Sequence, residues 1–378
     1  MKKYIHILFI FTLILSCGQN QDKVERIFED GVEITVNNLE PYQIGDRSAF
    51  RLEEIFKIDT EDEEISNLGI PDIFGFEVNS LGEIFILRTI TGEGNFIFKF
   101  DENGKYIKSF GPQGQGPGEF QNPHHIAMDK EDNILILDFG KRTLLKYDKD
   151  GIFRKDYKKW LGTSISSGPG ANFLVLSKSL DQENGKLVHS SSLSLLNPDL
   201  EVLQAIDELK VEMTIPGKIR ALEPLFYWST SGENIYIANE KRGYEIGIYD
   251  SKGKPIRKIR KEFTQMPVSR NFKEKFLKQI PEDMRDMLYF PEYYPPYQSV
   301  TAGDDGTLLV MTYEEGKNPG EFMCDVFNES GVFIVRKSVN IWVWEGHLWA
   351  KMIGDKFYCL QEKENGYKEL MVYKMKWE

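Results

Sequence analysis

The chain has 378 residues, of which 41% are hydrophobic and 28% charged, and its formal net charge is −12. That balance leaves no basic surface for nucleic acid and excludes nucleic-acid binding from the functions worth pursuing. Length alone would suggest two or three domains, a division that the repeats described below argue against.

The first element is Met1, Lys2, Lys3 and then an almost unbroken apolar run to Cys17, with polar sequence directly after it. A basic start followed by about a dozen apolar residues is a signal peptide, too short to be retained as a membrane-crossing helix. Ile14-Leu-Ser-Cys17 resembles the bacterial lipobox, in which a cysteine after a small residue receives lipid and becomes the first mature residue. The alternative is an ordinary secretory signal with an incidental cysteine; Ser16 and the polar run from Gly18 favour lipidation. The expected division is 1–17 signal peptide with lipobox cysteine, 18–42 tether and N-terminal segment, and 43–378 as one domain carrying the repeats that follow. By resemblance to bacterial sorting patterns, the absence of Asp at position 18 permits an outer-membrane address. The implied localisation is export with a lipid anchor at the cell envelope.

A self-similar pattern fills the rest. Phe98-Lys-Phe-Asp-Glu-Asn-Gly104 matches Leu145-Lys-Tyr-Asp-Lys-Asp-Gly151, 47 positions later, and related turns recur at Asn197, Gly253 and Gly331. Each copy is a β-hairpin whose Asp, Asn or Gly tolerates the positive φ of a tight turn. A second hairpin precedes each one, with runs such as Ile84-Phe-Ile-Leu87 and Ile235-Tyr-Ile-Ala238. Four antiparallel strands per period of about 50 residues is the content of one propeller blade. The sixth copy stops one strand short after Leu370-Met-Val-Tyr373, while Phe50-Arg-Leu-Glu-Glu-Ile-Phe-Lys-Ile58 stands alone before the first. Pairing these two closes a ring and removes an open edge. The expected fold is therefore all-β: a six-bladed β-propeller closed by an N-terminal strand, with a helical insertion between blades four and five.

Gly111-Pro-Gln-Gly-Gln-Gly-Pro-Gly-Glu-Phe-Gln-Asn-Pro-His-His-Ile-Ala-Met-Asp129, continuing through Asn133 to Gly151, resembles an NHL repeat almost throughout. The whole chain resembles the six-bladed propeller lipoproteins of Bacteroidetes and related bacteria. That resemblance implies a fold and an address, and no shared catalytic activity.

The insertion occupies 267–296. Phe272, Phe276, Leu277, Ile280, Met284, Met287 and Leu288 recur mainly at spacings of three and four, which reads as one or two amphipathic helices broken at Pro281. A flap packed on the propeller is the plain expectation, and a cover or wall for a binding site the sharper one. Cys324 and Cys359 sit within apolar strand-like runs and read as buried thiols.

Propeller ligands commonly lie at a channel mouth formed by the loops before the innermost strands. Aligning the hairpins brings Phe74, His124, His125, Phe226, Gln298 and Ser299 to comparable positions, with Tyr297, His347 and Trp349 close by. An aromatic rim with few charges suits a sugar or peptide. Pro123-His-His125 resembles a segment of NHL-type amidating lyases, whose metal is held by histidines from different blades. His125 and His347 are the corresponding metal alternative here, but neighbouring strand residues point to opposite faces and zinc takes three or more protein ligands. No metal or other cofactor is therefore expected, with a divalent metal as the alternative. No Gly-x-Ser-x-Gly, His-Glu-x-x-His or Walker pattern is present. The preferred reading is a non-enzymatic binding or scaffold module for an unknown protein, peptide or glycan, held to the membrane by its lipid. The alternatives are a metal-assisted propeller lyase or lactone hydrolase, and a subunit of a larger envelope complex.

Overall fold

The computed structural model describes residues 24–42, 50–89, 93–159, 161–212, 218–341, 343–344, 347–348, 350–363 and 365–377. Cys17 and Trp349 lie outside the described residues, as does the side chain of His347.

Runs such as Ile84-Phe-Ile-Leu87 are apolar at every position because both faces of each strand are covered. Ile84 and Ile86 enter the core between blades six and one, whereas Phe85 and Leu87 enter the core between blades one and two. The same parity holds for Ile235 and Ile237 against Tyr236 and Ala238. Blade one comprises Ile73–Val78, Ile84–Arg88, Asn95–Phe100 and Tyr106–Pro112; blade two Pro123–Met128, Ile134–Asp138, Thr143–Tyr147 and Phe153–Tyr157. Blade three comprises Ser164–Ser167, Phe173–Glu183, Lys186–Leu196 and Val202–Glu212; blade four Phe226–Ser231, Asn234–Asn239, Glu245–Tyr249 and Pro255–Lys261. Blade five comprises Ser299–Ala302, Leu308–Glu315, Glu321–Phe327 and Phe333–Asn340; blade six Ala350–Ile353, Lys356–Glu362, Lys368–Trp377 and, as its outer strand, Phe50–Asp59. Phe50–Asp59 pairs antiparallel with Lys368–Trp377, which closes the ring as the lone N-terminal strand predicted. Each of the six blade junctions, including the seam, holds its own apolar cluster, so the core is a ring of interfaces.

The repeated turn glycines explain how close the blades sit. At Gly104, φ is +83° and a Cβ would stand 2.6 Å from the Phe56 ring on the closing strand. In blade three the equivalent place is filled by Leu200, at φ 63° and 1% exposed, whose side chain joins the core between blades two and three.

Residues 25–37 supply a hairpin that the sequence reading, with 18–42 as tether and N-terminal segment, did not anticipate. Glu25–Glu29 pairs with Val32–Asn37, and the latter runs parallel to Pro255–Lys261, extending blade four to six strands. Buried Asn37 fixes it: its amide donates to the carbonyls of Arg260 and Gly331, and its side-chain oxygen accepts from the Phe333 N–H. The insertion forms helices Arg270–Gln279 and Glu282–Arg285, the break falling at Ile280 and Pro281. Ser269 caps the first, accepting from the Phe272 N–H. Among the described residues no helix is long and apolar enough to cross a membrane. Cys324 and Cys359 are buried free thiols in the junction of blades five and six.

Candidate functional site

Two cavities bear on the candidate residues, one on the propeller axis and one beneath the insertion. The axial channel, about 210 Å³, draws residues from all six inner strands: Glu77, His125, Ser164, Trp228, Thr301 and Lys351 are its polar representatives. Glu77 and Lys351 form an ion pair at 2.9 Å. Burial pushes the Glu77 carboxyl above its ordinary range, although the Lys351 ammonium opposes this. The Trp228 indole N–H donates to Ser166 Oγ at 2.7 Å, and Ser167 Oγ donates to the Met128 carbonyl at 2.7 Å. His125 Nδ1 lies 3.5 Å from Ser164 Oγ. These contacts join one inner strand to the next, so much of the channel polarity is spent holding the ring together.

The second cavity, about 450 Å³, lies under the inserted helices. Phe272, Phe276 and Ile280 form its cover; Leu176, Lys178, His189 and Ser191 of blade three, Phe226 and Tyr227 of blade four, and Gln298 and Tyr313 of blade five form its walls. The cover rests on an aromatic series: Phe272 and Phe276 each meet Phe290 edge-on, Phe272 meets Tyr294 edge-on at 5.5 Å, and Tyr294 stacks on Tyr313 at 4.3 Å. No residue of the helix Arg270–Gln279 is fully buried, so the cover packs lightly. Its root is firmer, since the N–H groups of Val268, Tyr294, Ile219 and Ala221 donate to the carbonyls of Glu292, Met266, Met287 and Tyr289.

Along the opposite wall Lys178 donates to Glu223 at 2.9 Å. His189 Nδ1 is buried and without a partner among the described residues. Burial, and secondarily the Lys178 ammonium, hold the His189 pKa below its ordinary value. Gln298 donates its amide to the Thr312 carbonyl at 2.6 Å, which leaves its side-chain oxygen as an acceptor at the wall. The groove thus offers a broad apolar and aromatic surface with a polar margin.

The aligned candidates do not converge on one mouth. Phe226 and Gln298 reach the groove, while His125 reaches the channel. Phe74 and His124 pack at the junction of blades one and two, with the His124 ring stacked on Phe139 at 4.2 Å and edge-on to Phe74 at 4.8 Å. Tyr297 is a correction: it is fully buried in the junction of blades four and five, with its hydroxyl donating to the Glu245 carbonyl. Alternation along the chain explains the split, because Gln298 takes the groove face and Tyr297 the core. Ser299 is likewise fully buried. His347 lies in the two-residue strand His347–Leu348. Among the described residues no group of three or more His, Cys, Asp or Glu side chains is placed to hold a metal ion. Lys178, His189 and Glu223 also line the groove, where the sequence did not place them. The one available sign was the Asn184-Gly185 turn, which lengthens blade three's central hairpin well past its inner strand.

A ring of six blades, each built on four antiparallel strands with repeated Asp/Asn/Gly turns, makes this chain a six-bladed β-propeller with NHL-like repeats. Residues 50–213 match the family described as 6-bladed beta-propeller. The human NHL repeat-containing protein 3 is 23% identical over 106 residues, covering 27% of this chain and 30% of that protein. Its mouse counterpart is 28% identical over 85 residues, covering 22% and 23%; this chain thus aligns with under a third of either relative. A Bacteroides fragilis protein described as exported shares the fold with a TM-score of 0.56 at 12% identity, covering 91% of this chain and 99% of that one. A member of the DUF4221 family from Bacteroides vulgatus does so with a TM-score of 0.51 at 11% identity, covering 88% and 100%.

Proposed function

We propose that this propeller is exported, anchored through a lipid on Cys17 at the outer membrane, and acts as a non-enzymatic binding module whose ligand sits in the groove under the inserted helices. The carrying observation is the groove itself: an excursion outside the repeat pattern lays Phe272 and Phe276 over walls drawn from three blades. Long insertions into compact repeats commonly serve binding, and apolar clefts with a few placed polar groups commonly hold ligands. A peptide or glycan with an apolar face and polar edges suits this lining. Export is supported by the basic and apolar start of the chain and by the description of the Bacteroides fragilis neighbour.

Two experiments test the proposal. Radiolabelled palmitate fed to expressing cells is expected to enter the wild-type chain and not Cys17→Ala; equal labelling of both refutes the anchor. Thermal shifts of the full chain with peptide and oligosaccharide libraries are expected to give ligands that stabilise it. Phe272→Ser with Phe276→Ser is expected to abolish those shifts while lowering the unliganded melting temperature only modestly, since neither ring is fully buried and the lost ring contacts are local to the cover. Ligands that bind the double variant equally well would remove the groove from the account.

A further inference from the structure

Blade three is longer than its inner strand. Its second strand spans Phe173–Glu183, yet the inner strand pairs only with residues 173–176. The third strand pairs with the second along its whole length, and the outer strand covers the third as far as Val188. A three-stranded platform therefore overhangs the groove, and its inward edge, residues 177–183, pairs with no strand among the described residues.

The hydrogen-bonding parity of that edge follows from its turn. Asn184 and Gly185, with φ of 51° and 80°, form a two-residue loop, so Glu183 and Lys186 exchange backbone bonds and alternate residues back along the strand do the same. The backbone groups of Lys178, Leu180 and Gln182 consequently point away from the third strand, in the sheet plane, to the side on which the inner strand runs. Leu176 fits the series, its carbonyl accepting from the Thr163 N–H on that same side. The side chains share this order: Leu176, Lys178 and the cross-strand residues His189 and Ser191 line the groove. Leu180, directly opposite His189, continues that face at 58% exposed, and Leu187 at 43%.

We infer that the groove takes an extended peptide that adds to blade three as a strand along Lys178, Leu180 and Gln182, continuing the line of the short inner strand where no strand of the described residues pairs. This rests on the groove reading above and narrows its ligand class. An open edge supplies N–H and C=O groups in alternating register, which an extended polypeptide matches along its length. Alternate side chains of the added strand face the apolar wall formed by Leu176, Phe272 and Phe276 and continued by the exposed Leu180, with the His189 ring beside it. The bound segment is thus one with apolar residues at every second position.

The test is selection of random linear peptides displayed on phage against the full chain, followed by amide hydrogen exchange of the complex. Enriched peptides are expected to protect the amides of Lys178, Leu180 and Gln182. Leu180→Pro removes an N–H that the third strand does not use, a position where an edge tolerates proline. It is expected to weaken binding by about tenfold or more relative to Leu180→Ala, which loses the same side-chain contact but keeps the N–H. Peptides that depend on Phe272 and Phe276 but leave these amides unprotected would overturn strand addition and leave the groove standing. The same holds if oligosaccharides bind and no peptide is enriched. Binding insensitive to the phenylalanines and without edge protection would overturn both. Concentration-dependent dimerisation lost in Leu180→Pro would show the edge to serve a second copy and would also overturn the proposal.

Discussion

Asp325 is the most exacting place to test how blades four and five are joined. It is fully buried and accepts from Arg336 Nε at 2.7 Å and from the Tyr244 hydroxyl at 2.7 Å, with Lys261 Nζ at 3.5 Å. The Lys261 side chain is only 1% exposed. Asp325→Ala strands that ammonium, and breaking a buried pair by removing one partner costs about 3–5 kcal/mol. The lower end is expected here. Arg336 keeps Glu314 at 2.9 Å, and Lys261 keeps the Glu262 carbonyl and the faces of Phe333 and Tyr244 at 4.7 and 5.2 Å. Urea denaturation at pH 7 should therefore show a loss of about 3 kcal/mol, against about 0–1 kcal/mol for Glu314→Ala at the half-exposed end. A pH series adds a signature that cavity formation lacks. Burial already lowers the Lys261 pKa below its ordinary value, and Asp325 partly offsets this. In the variant the offset is gone and the folded value falls further. Between that value and the ordinary one the unfolded chain binds a proton that the native chain does not, so stability rises with pH in this window. The wild type gains in the same way only above its own, less lowered value, so the variant's deficit should shrink as pH rises through the interval between the two Lys261 values. A loss under about 1 kcal/mol, or a deficit independent of pH, refutes the reasoning.

Three further outcomes are expected. Gly104→Ala should be more destabilising than Gly366→Ala in thermal melts: both carry the cost of about 1–2 kcal/mol for a left-handed residue, but only Gly104 would also drive a Cβ into Phe56, whereas the nearest atom at Gly366 is 3.9 Å away. Equal losses would mean that the turn glycine does not set blade spacing. Burial holds the His124 pKa below 6.5, so the unfolded chain binds more protons as pH falls through that value and stability drops; His124→Gln should flatten the urea midpoint between pH 7 and 5, and an unchanged slope counts against it. Burial pushes the Cys359 thiol up to about 12 and the Cys324 thiol higher still, so Ellman's reagent should reach these two only as the protein unfolds, and prompt labelling of the native protein would place them elsewhere.

The ring was legible in the sequence because its physics is local and repeated. Runs apolar at every position, such as Ile134-Leu-Ile-Leu137, require cover on both faces; Gly104 and Gly151 mark turns that only certain residues can make; and Phe50–Asp59 was the one strand left to complete the sixth blade. Less could be read of the groove. Phe226 and Gln298 reach the groove because their strands align, but Tyr297 entered a core and His125 a different cavity, since a shift of one residue reverses the face. His189 joins Phe272 and Phe276 across 83 to 87 positions of sequence through an overhang and an insertion that belong to no repeat. The N-terminal hairpin was hidden for a related reason: its parallel pairing with Pro255–Lys261 and the three bonds made by Asn37 depend on two blades being side by side. Periodicity in one chain therefore determined the blades, their number and their closure. The tertiary structure alone decided which irregular segments meet, because their contacts are long-range and carry no period.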